Sequence, residues 1–342
     1  MSIAALMTAC SSEEPAMVNG GDDKLVPIYF SADALTDIRS RVELDKVVPD
    51  MLTFAVYQDG AYLGSGEYVN GTYTSQGLSL RSDVSKTTDG FSLALYVPKD
   101  KLTVWKVRFL AQKAVSGKGK IALDGSTGTL TCAESRGMND ASFDHFMGEA
   151  SASWKEGGDN QTAVVLKRPL MRVDIVGDYD ELFPDREATY KSACYSYPIT
   201  LRVGDSGGSS YFTNSWAFDS NNISLKSLTN SISQASPKKM TVNGEELDCF
   251  ATAYFYAPAT ANAWKYATSS AVKSAPSRVY WQVRTPYFKP GATDDSKYLT
   301  VDQGIPTWKA NSHVIIKVNK KNGVTFTVLI KEDYNDETVI TQ

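Results

Sequence analysis

The sequence predicts an all-β protein of two tandem antiparallel β-sandwiches. Three observations carry that reading. Short segments in which apolar and polar residues alternate recur from Leu25 to Ile340. Turn dipeptides that accept positive φ separate several of them: Asp59-Gly60, Asn70-Gly71, Asn243-Gly244 and Asn322-Gly323. Helical 3.6-residue periodicity is almost absent, which argues for sandwiches rather than βαβ units.

Leu25–Phe30 is the first strand, and Pro27 places it at a sheet edge because proline cannot donate to a ladder. A polar, basic connection follows, with Arg39 and Arg41 inside Asp37–Leu44. In the next strand Leu52, Phe54 and Val56 face one way, and Gln58–Ala61 supplies a hairpin turn. Asn70-Gly71 turns Glu67–Val69 back onto Thr72–Thr74. Phe91–Val97 and Val104–Leu110 are strands joined through Pro98-Lys99-Asp100. In the second, Trp105, Val107 and Phe109 face the core while Lys106 and Arg108 face water. Gly117–Lys120 and Asp124–Gly128 read as loops, and Ser142–Ala152, with Phe143, Phe146 and Met147, as a short helical turn. Leu170–Val176 reads as a half-buried strand, with Met171, Val173 and Ile175 inward and Arg172 and Asp174 outward.

The acidic, Pro-containing composition after Gly177 places a domain boundary there. The expected organisation is a tether over 1–23, a first sandwich over 24–178 and a second over 179–342. The second half repeats the same grammar in Ile199–Val203, Tyr211–Phe218, Phe250–Tyr256 and Arg278–Arg284. His313–Val318 and Val324–Ile330 flank Asn322-Gly323 as a closing hairpin. No residue-level internal repeat links the halves.

At 342 residues, with 42% hydrophobic and 22% charged, the composition is that of a globular protein. A net charge of -4 disfavours nucleic acid as a partner. No apolar stretch after Cys10 reaches transmembrane length. Cys132, Cys194 and Cys249 are too few and too widely spaced for a disulfide framework or a zinc motif, so they read as small buried hydrophobes, one linked pair being the alternative.

No enzyme, metal or cofactor site emerges. His145 and His313 are the two histidines; neither has a His partner at ligand spacing, and no Gly-x-Ser-x-Gly elbow accompanies them. His313 falls on the presumed outward face of its strand. Paired acids such as Asp22-Asp23, Glu245-Glu246 and Asp294-Asp295 sit in turn-like contexts, and Gly204–Gly208 reads as a glycine-rich loop. Trp264, Tyr266, Tyr280 and Trp308 could form a sugar-binding platform, which gives the alternative reading of a surface glycan-binding lipoprotein; equally they could be sandwich core.

Met1–Glu14 is an apolar run leading to small residues, Cys10 and then acids. That is the form of a lipoprotein signal in which Cys10 becomes the acylated N-terminus, although no Lys or Arg precedes the run. The other reading is an ordinary N-terminus with a chance cysteine. Ser11–Asp23 is a flexible tether in either case.

Several pieces resemble the Bacteroidales fimbrillin family of type V pilus subunits and fimbrillin-like surface lipoproteins. They are the Cys10 region with the strand after it, Leu95–Pro98 before Val104–Gln112, Val165–Ile175 with its Leu-Lys-Arg-Pro core, and Trp308–Val318. Glu332-Asp333-Tyr334 and the tail to Gln342 depart from the family's usual ending. Glu13 and Glu14 resemble the surface-export signal of Bacteroidales lipoproteins, a soluble linker being the alternative.

The resemblance implies two transthyretin-like sandwiches and a non-enzymatic pilus subunit or adhesin, exported to the outer membrane on a lipid at Cys10. A trypsin-like protease would then cut after Arg39 or Arg41, unless these are merely solvated loop arginines, and would release the first strand. Another subunit would donate a strand to the groove, a case of β-augmentation. Val324–Ile340 would be this chain's own donor stretch. Host or bacterial surface ligands would be further partners.

Overall fold

The computed structural model describes residues 25–33, 48–88, 90–99, 103–117, 119–132, 143–178, 238–256 and 310–319. It also describes 199–204, 212–217, 222–226, 231–232, 265–268, 271–274, 278–284, 298–304, 325–332 and 336–341. All its elements are strands. The first are β1 (Leu25–Asp33), β2 (Met51–Gln58), β3 (Ala61–Val69), β4 (Thr72–Gln76), β5 (Ser82–Lys86) and β6 (Gly90–Pro98). There follow β7 (Trp105–Gln112), β8 (Ile121–Asp124), β9 (Thr129–Cys132), β10 (His145–Ala152), β11 (Gln161–Val165) and β12 (Leu170–Gly177). Next are β13 (Ile199–Gly204), β14 (Phe212–Ala217), β15 (Asn222–Lys226), β16 (Ser231–Ile232), β17 (Lys238–Val242) and β18 (Glu245–Tyr256). The last are β19 (Lys265–Thr268), β20 (Ala271–Ser274), β21 (Arg278–Arg284), β22 (Tyr298–Gly304), β23 (His313–Asn319), β24 (Thr325–Glu332) and β25 (Asp336–Thr341).

The early strands form a sandwich of two sheets, ordered β11-β1-β6-β5 and β10-β7-β2-β3-β4. Alternation aims Ile28, Phe30, Leu93 and Leu95 from one sheet at Leu52, Phe54, Val107 and Phe109 from the other. Phe30 meets Phe109 across the gap at 6.0 Å between ring centroids. The turn chemistry is as the sequence requires: Asp59 and Gly60 hold φ of 49° and 87° between Gln58 and Ala61. Asn70-Gly71 and Asn243-Gly244 close their hairpins in the same left-handed region.

The β8–β9 hairpin covers the outer face of β2 and β7, so these strands are buried on both sides. Tyr57 Oη donates to Gly125 O at 2.6 Å. The Gln112 amide pairs with the backbone of Ile121, accepting from N at 2.8 Å and donating to O at 2.7 Å. This covering layer corrects the placement of Arg108 in water. Arg108 is buried, with Nε 3.2 Å from Glu149 Oε2 and its guanidinium over the Tyr57 ring.

Ser142–Ala152 is likewise not a helical turn. From His145 onward it is β10, paired antiparallel with β7 from His145–Gln112 to Ala152–Trp105. The spacing of Phe143, Phe146 and Met147 imitates a helix, but the edge of β7 supplies ladder partners for the backbone groups of β10 that face it.

Three more sheets are ordered β17-β18-β12-β23-β24-β25, β16-β13-β21-β22 and β20-β19-β15-β14-β9-β8. Pairing is antiparallel except for β1–β11, β12–β23 and β15–β19, which run parallel. β12 pairs on both sides with strands that follow it in the chain, β18 and β23. The expectation of a half-buried β12 is corrected: all eight of its residues are buried, Arg172 and Asp174 included. The closing hairpin is found, β23 and β24 pairing from His313–Lys331 to Asn319–Thr325.

Candidate functional site

The candidate site is the seat of β1. The strand pairs antiparallel with β6 along all of Leu25–Asp33, and parallel with β11 only from Tyr29 to Asp33. Among the described residues Leu25–Ile28 therefore has no second neighbouring strand, and Pro27 lies in that half. Tyr29–Asp33 is enclosed between two strands, which corrects the expectation of an edge strand throughout. Pro27 marks only the part that lacks a second neighbour.

Alternate side chains of β1 enter the sandwich: Ile28, Phe30 and Ala32 are fully buried, whereas Ser31 between them is exposed. The end of the strand lies tight against β6. A Cβ added to Gly90 would stand 2.0 Å from the Ala32 carbonyl oxygen, so only glycine allows the approach. β1 is thus a plug, with one ladder along its length, a second along half of it and three side chains in the core.

Beside the plug runs the Leu-Lys-Arg-Pro stretch that the resemblance singled out. Leu166 N donates to Asp33 O at 2.8 Å, fastening the end of β1. Lys167 exchanges two backbone hydrogen bonds of 2.8 Å with Met147 in β10. Arg168, 2% exposed, grips Asp144 with Nε–Oδ1 2.6 Å and Nη2–Oδ2 3.0 Å, and its Nη1 donates to Asn311 Oδ1 at 3.2 Å. Asn311 N donates in turn to Leu170 O at 2.8 Å. The third and fourth resembling pieces, Val165–Ile175 and the described part of Trp308–Val318, therefore meet in space. Arg168 joins the start of β10, the start of β12 and the approach to β23.

A second buried charge cluster lies on β12. Asp174 accepts from Arg172 Nε at 2.7 Å, His313 Nε2 at 2.5 Å and Thr252 Oγ1 at 2.5 Å. Burial pushes the Asp174 carboxyl up, but the Arg172 charge and the bonds from His313 and Thr252 outweigh it and hold the group well below the carboxylate range. His313 thus faces inward, which corrects its expected outward placement: β12 and β23 run parallel and set Arg172 beside it.

Cys249 Sγ lies 3.7 Å from Asp174. Burial and the Asp174 charge push its thiol up to about 12. A Cys, a His and an Asp in contact suggest a triad by composition, yet a buried, protonated thiol is no nucleophile. The cluster is structural.

Sequence reading missed both clusters. Arg172 and Asp174 at alternate positions look like any solvated strand face, and Asp144 sits amid what resembled a helix. Cys10, Arg39 and Arg41 lie outside the described residues, as do Trp264, Trp308, Cys194 and the Asp22-Asp23 and Asp294-Asp295 pairs. Tyr266 and Tyr280 fall on β19 and β21, and Cys132 ends β9, but their side chains are not among those described. Among the described residues no group of three or more His, Cys, Asp or Glu could hold a metal ion.

No protein-family model matches the chain, and no curated protein does. Solved structures do match it. They include two proteins described as fimbrial. A fimbrial assembly protein from Parabacteroides distasonis is 11% identical, with a TM-score of 0.46 over 93% of this chain and 99% of that one. The fimbrial anchor protein Mfa2 from Porphyromonas gingivalis is 11% identical, with a TM-score of 0.43 over 92% of this chain and 99% of its own.

Proposed function

We propose that this chain is a non-enzymatic fimbrial subunit or fimbrillin-like adhesin, carried to the outer membrane on a lipid at Cys10 and assembled by proteolysis-triggered strand exchange. The cut falls after Arg39 or Arg41 and severs β1 from β2. One observation carries the reading: the first described strand is a plug in a sandwich whose other strands follow a connection that contains Arg39 and Arg41. Losing β1 exposes the seats of Ile28, Phe30 and Ala32, the whole ladder edge of β6 and part of that of β11. Such a groove demands another strand, because unpaired backbone groups and open apolar pockets are both costly. β25, which among the described strands pairs with β24 alone, lies almost wholly within Val324–Ile340, the stretch expected to act as donor.

Limited trypsin digestion of the purified chain is expected to cut after Arg39 or Arg41 and to free β1 from the body. Arg39→Ala with Arg41→Ala should abolish the cut, and a cut body that keeps β1 contradicts the reading. Cys10→Ser should separately abolish incorporation of labelled fatty acid.

A further inference from the structure

The seat of β1 differs in size from one end to the other. Ile28 lies opposite Leu95 of β6, at a level that β11 does not reach. Phe30 is flanked by Leu93 and Thr162, and its ring extends to Phe109 of the facing sheet. Ala32 lies between Phe91 and Val164, both buried and both on its side of the sheet. In a core packed to crystal density, those two neighbours leave space at the third position for little more than a Cβ. The Ala32 backbone also closes on Gly90, so it cannot shift away to admit a larger side chain.

Resting on the proposed function, we infer that the vacated seat selects a strand of another protein that reads aliphatic-x-aromatic-x-Ala or Gly, and that it does not accept β25 of a second copy. Residues 336–341 read Asp-Glu-Thr-Val-Ile-Thr. Two registers seat all three positions from these residues, Glu337, Val339 and Thr341 or Asp336, Thr338 and Ile340, and both bury a carboxylate among Ile28's former neighbours. A slip of two residues avoids the carboxylate, but no register of these residues offers a ring to Phe109. An unpaired buried charge is strongly unfavourable, and the missing ring leaves a cavity. The partner is therefore a different chain, and copies of this one do not polymerise through β25.

The test uses the full chain with a site-specific protease sequence in place of residues 39–41. Mass spectrometry first reports whether residues 25–33 leave after cutting. Four fluorescent peptides are then titrated onto the cut protein: the 25–33 sequence, its Phe30→Ala and Ala32→Phe variants, and the 334–342 sequence. The 25–33 peptide should bind. Phe30→Ala should weaken binding by a factor on the order of a hundred and Ala32→Phe by about tenfold or more, and the 334–342 peptide should not bind. A protein that releases its strand but takes all four peptides alike, or none of them, overturns this inference alone. A cut protein that never releases residues 25–33 overturns the proposed function and the inference with it.

Discussion

Arg168 and Asp144 form a bidentate ion pair in the interior, with side-chain exposures of 1% and 2%. Two parallel N–H···O bonds in so dry a site are worth more than a surface pair, and breaking them costs more than forming them contributes. Asp144→Ala would leave the guanidinium buried without its bidentate carboxylate, still beside Asn311 and the Phe146 ring. The expected loss is about 3–5 kcal/mol, read as a lower urea midpoint. Replacing both partners, as in Arg168→Met with Asp144→Leu, should recover much of it, because no orphaned charge remains.

The Asp174 cluster makes an acid-sensitivity prediction with a definite sign. The folded-state carboxyl lies below its ordinary 3.8, so the unfolded chain binds the proton more readily than the folded one. This group's contribution is therefore complete above about pH 5 and is lost as pH falls through the unfolded value towards the folded one. Asp174→Asn should lower stability at pH 7 and flatten its decline between about pH 5 and pH 2. Urea midpoints measured across that range check both.

Cys249 should be inert while the chain is folded. Its thiol is buried and held at about 12, so iodoacetamide at pH 8 finds almost no thiolate. Peptide mapping should show Cys249 unmodified in the native protein and alkylated in urea.

Gly90→Ala tests the close approach between β6 and the end of β1. The added methyl meets the Ala32 carbonyl oxygen at 2.0 Å unless a strand moves. Overpacking of this kind costs about 1–3 kcal/mol. The loss should be confined to the β1 seat, appearing as faster hydrogen exchange at Tyr29–Asp33 and unchanged exchange in β2 and β3.

Local features were the legible ones. Asp59-Gly60, Asn70-Gly71 and Asn243-Gly244 announce hairpins because the positive φ that they accept is what such turns require. Alternation placed Leu52, Phe54, Trp105, Val107 and Phe109 in the core, where they are found. What the sequence concealed was burial on the second face of some strands. Arg108, Arg172, Asp174 and His313 all look like outward positions of half-buried strands, and all are buried. Their partners are distant in sequence: Glu149 for Arg108 and His313 for Asp174. No local pattern carries that information. Pro27 was read in the same way, as the mark of an edge, but β11 arrives from far along the chain and encloses the half of β1 beyond it.

Under the proposed function β1 is a strand made to leave. Native mass spectrometry of the full chain after limited trypsin digestion reads this from the mass of the body. Strand exchange predicts a body that has lost everything up to Arg39 or Arg41 and that carries a foreign strand in its place when a matching peptide is supplied. A body that is cut at those arginines yet retains its own residues 25–33 indefinitely, with matching peptide in excess, would contradict it.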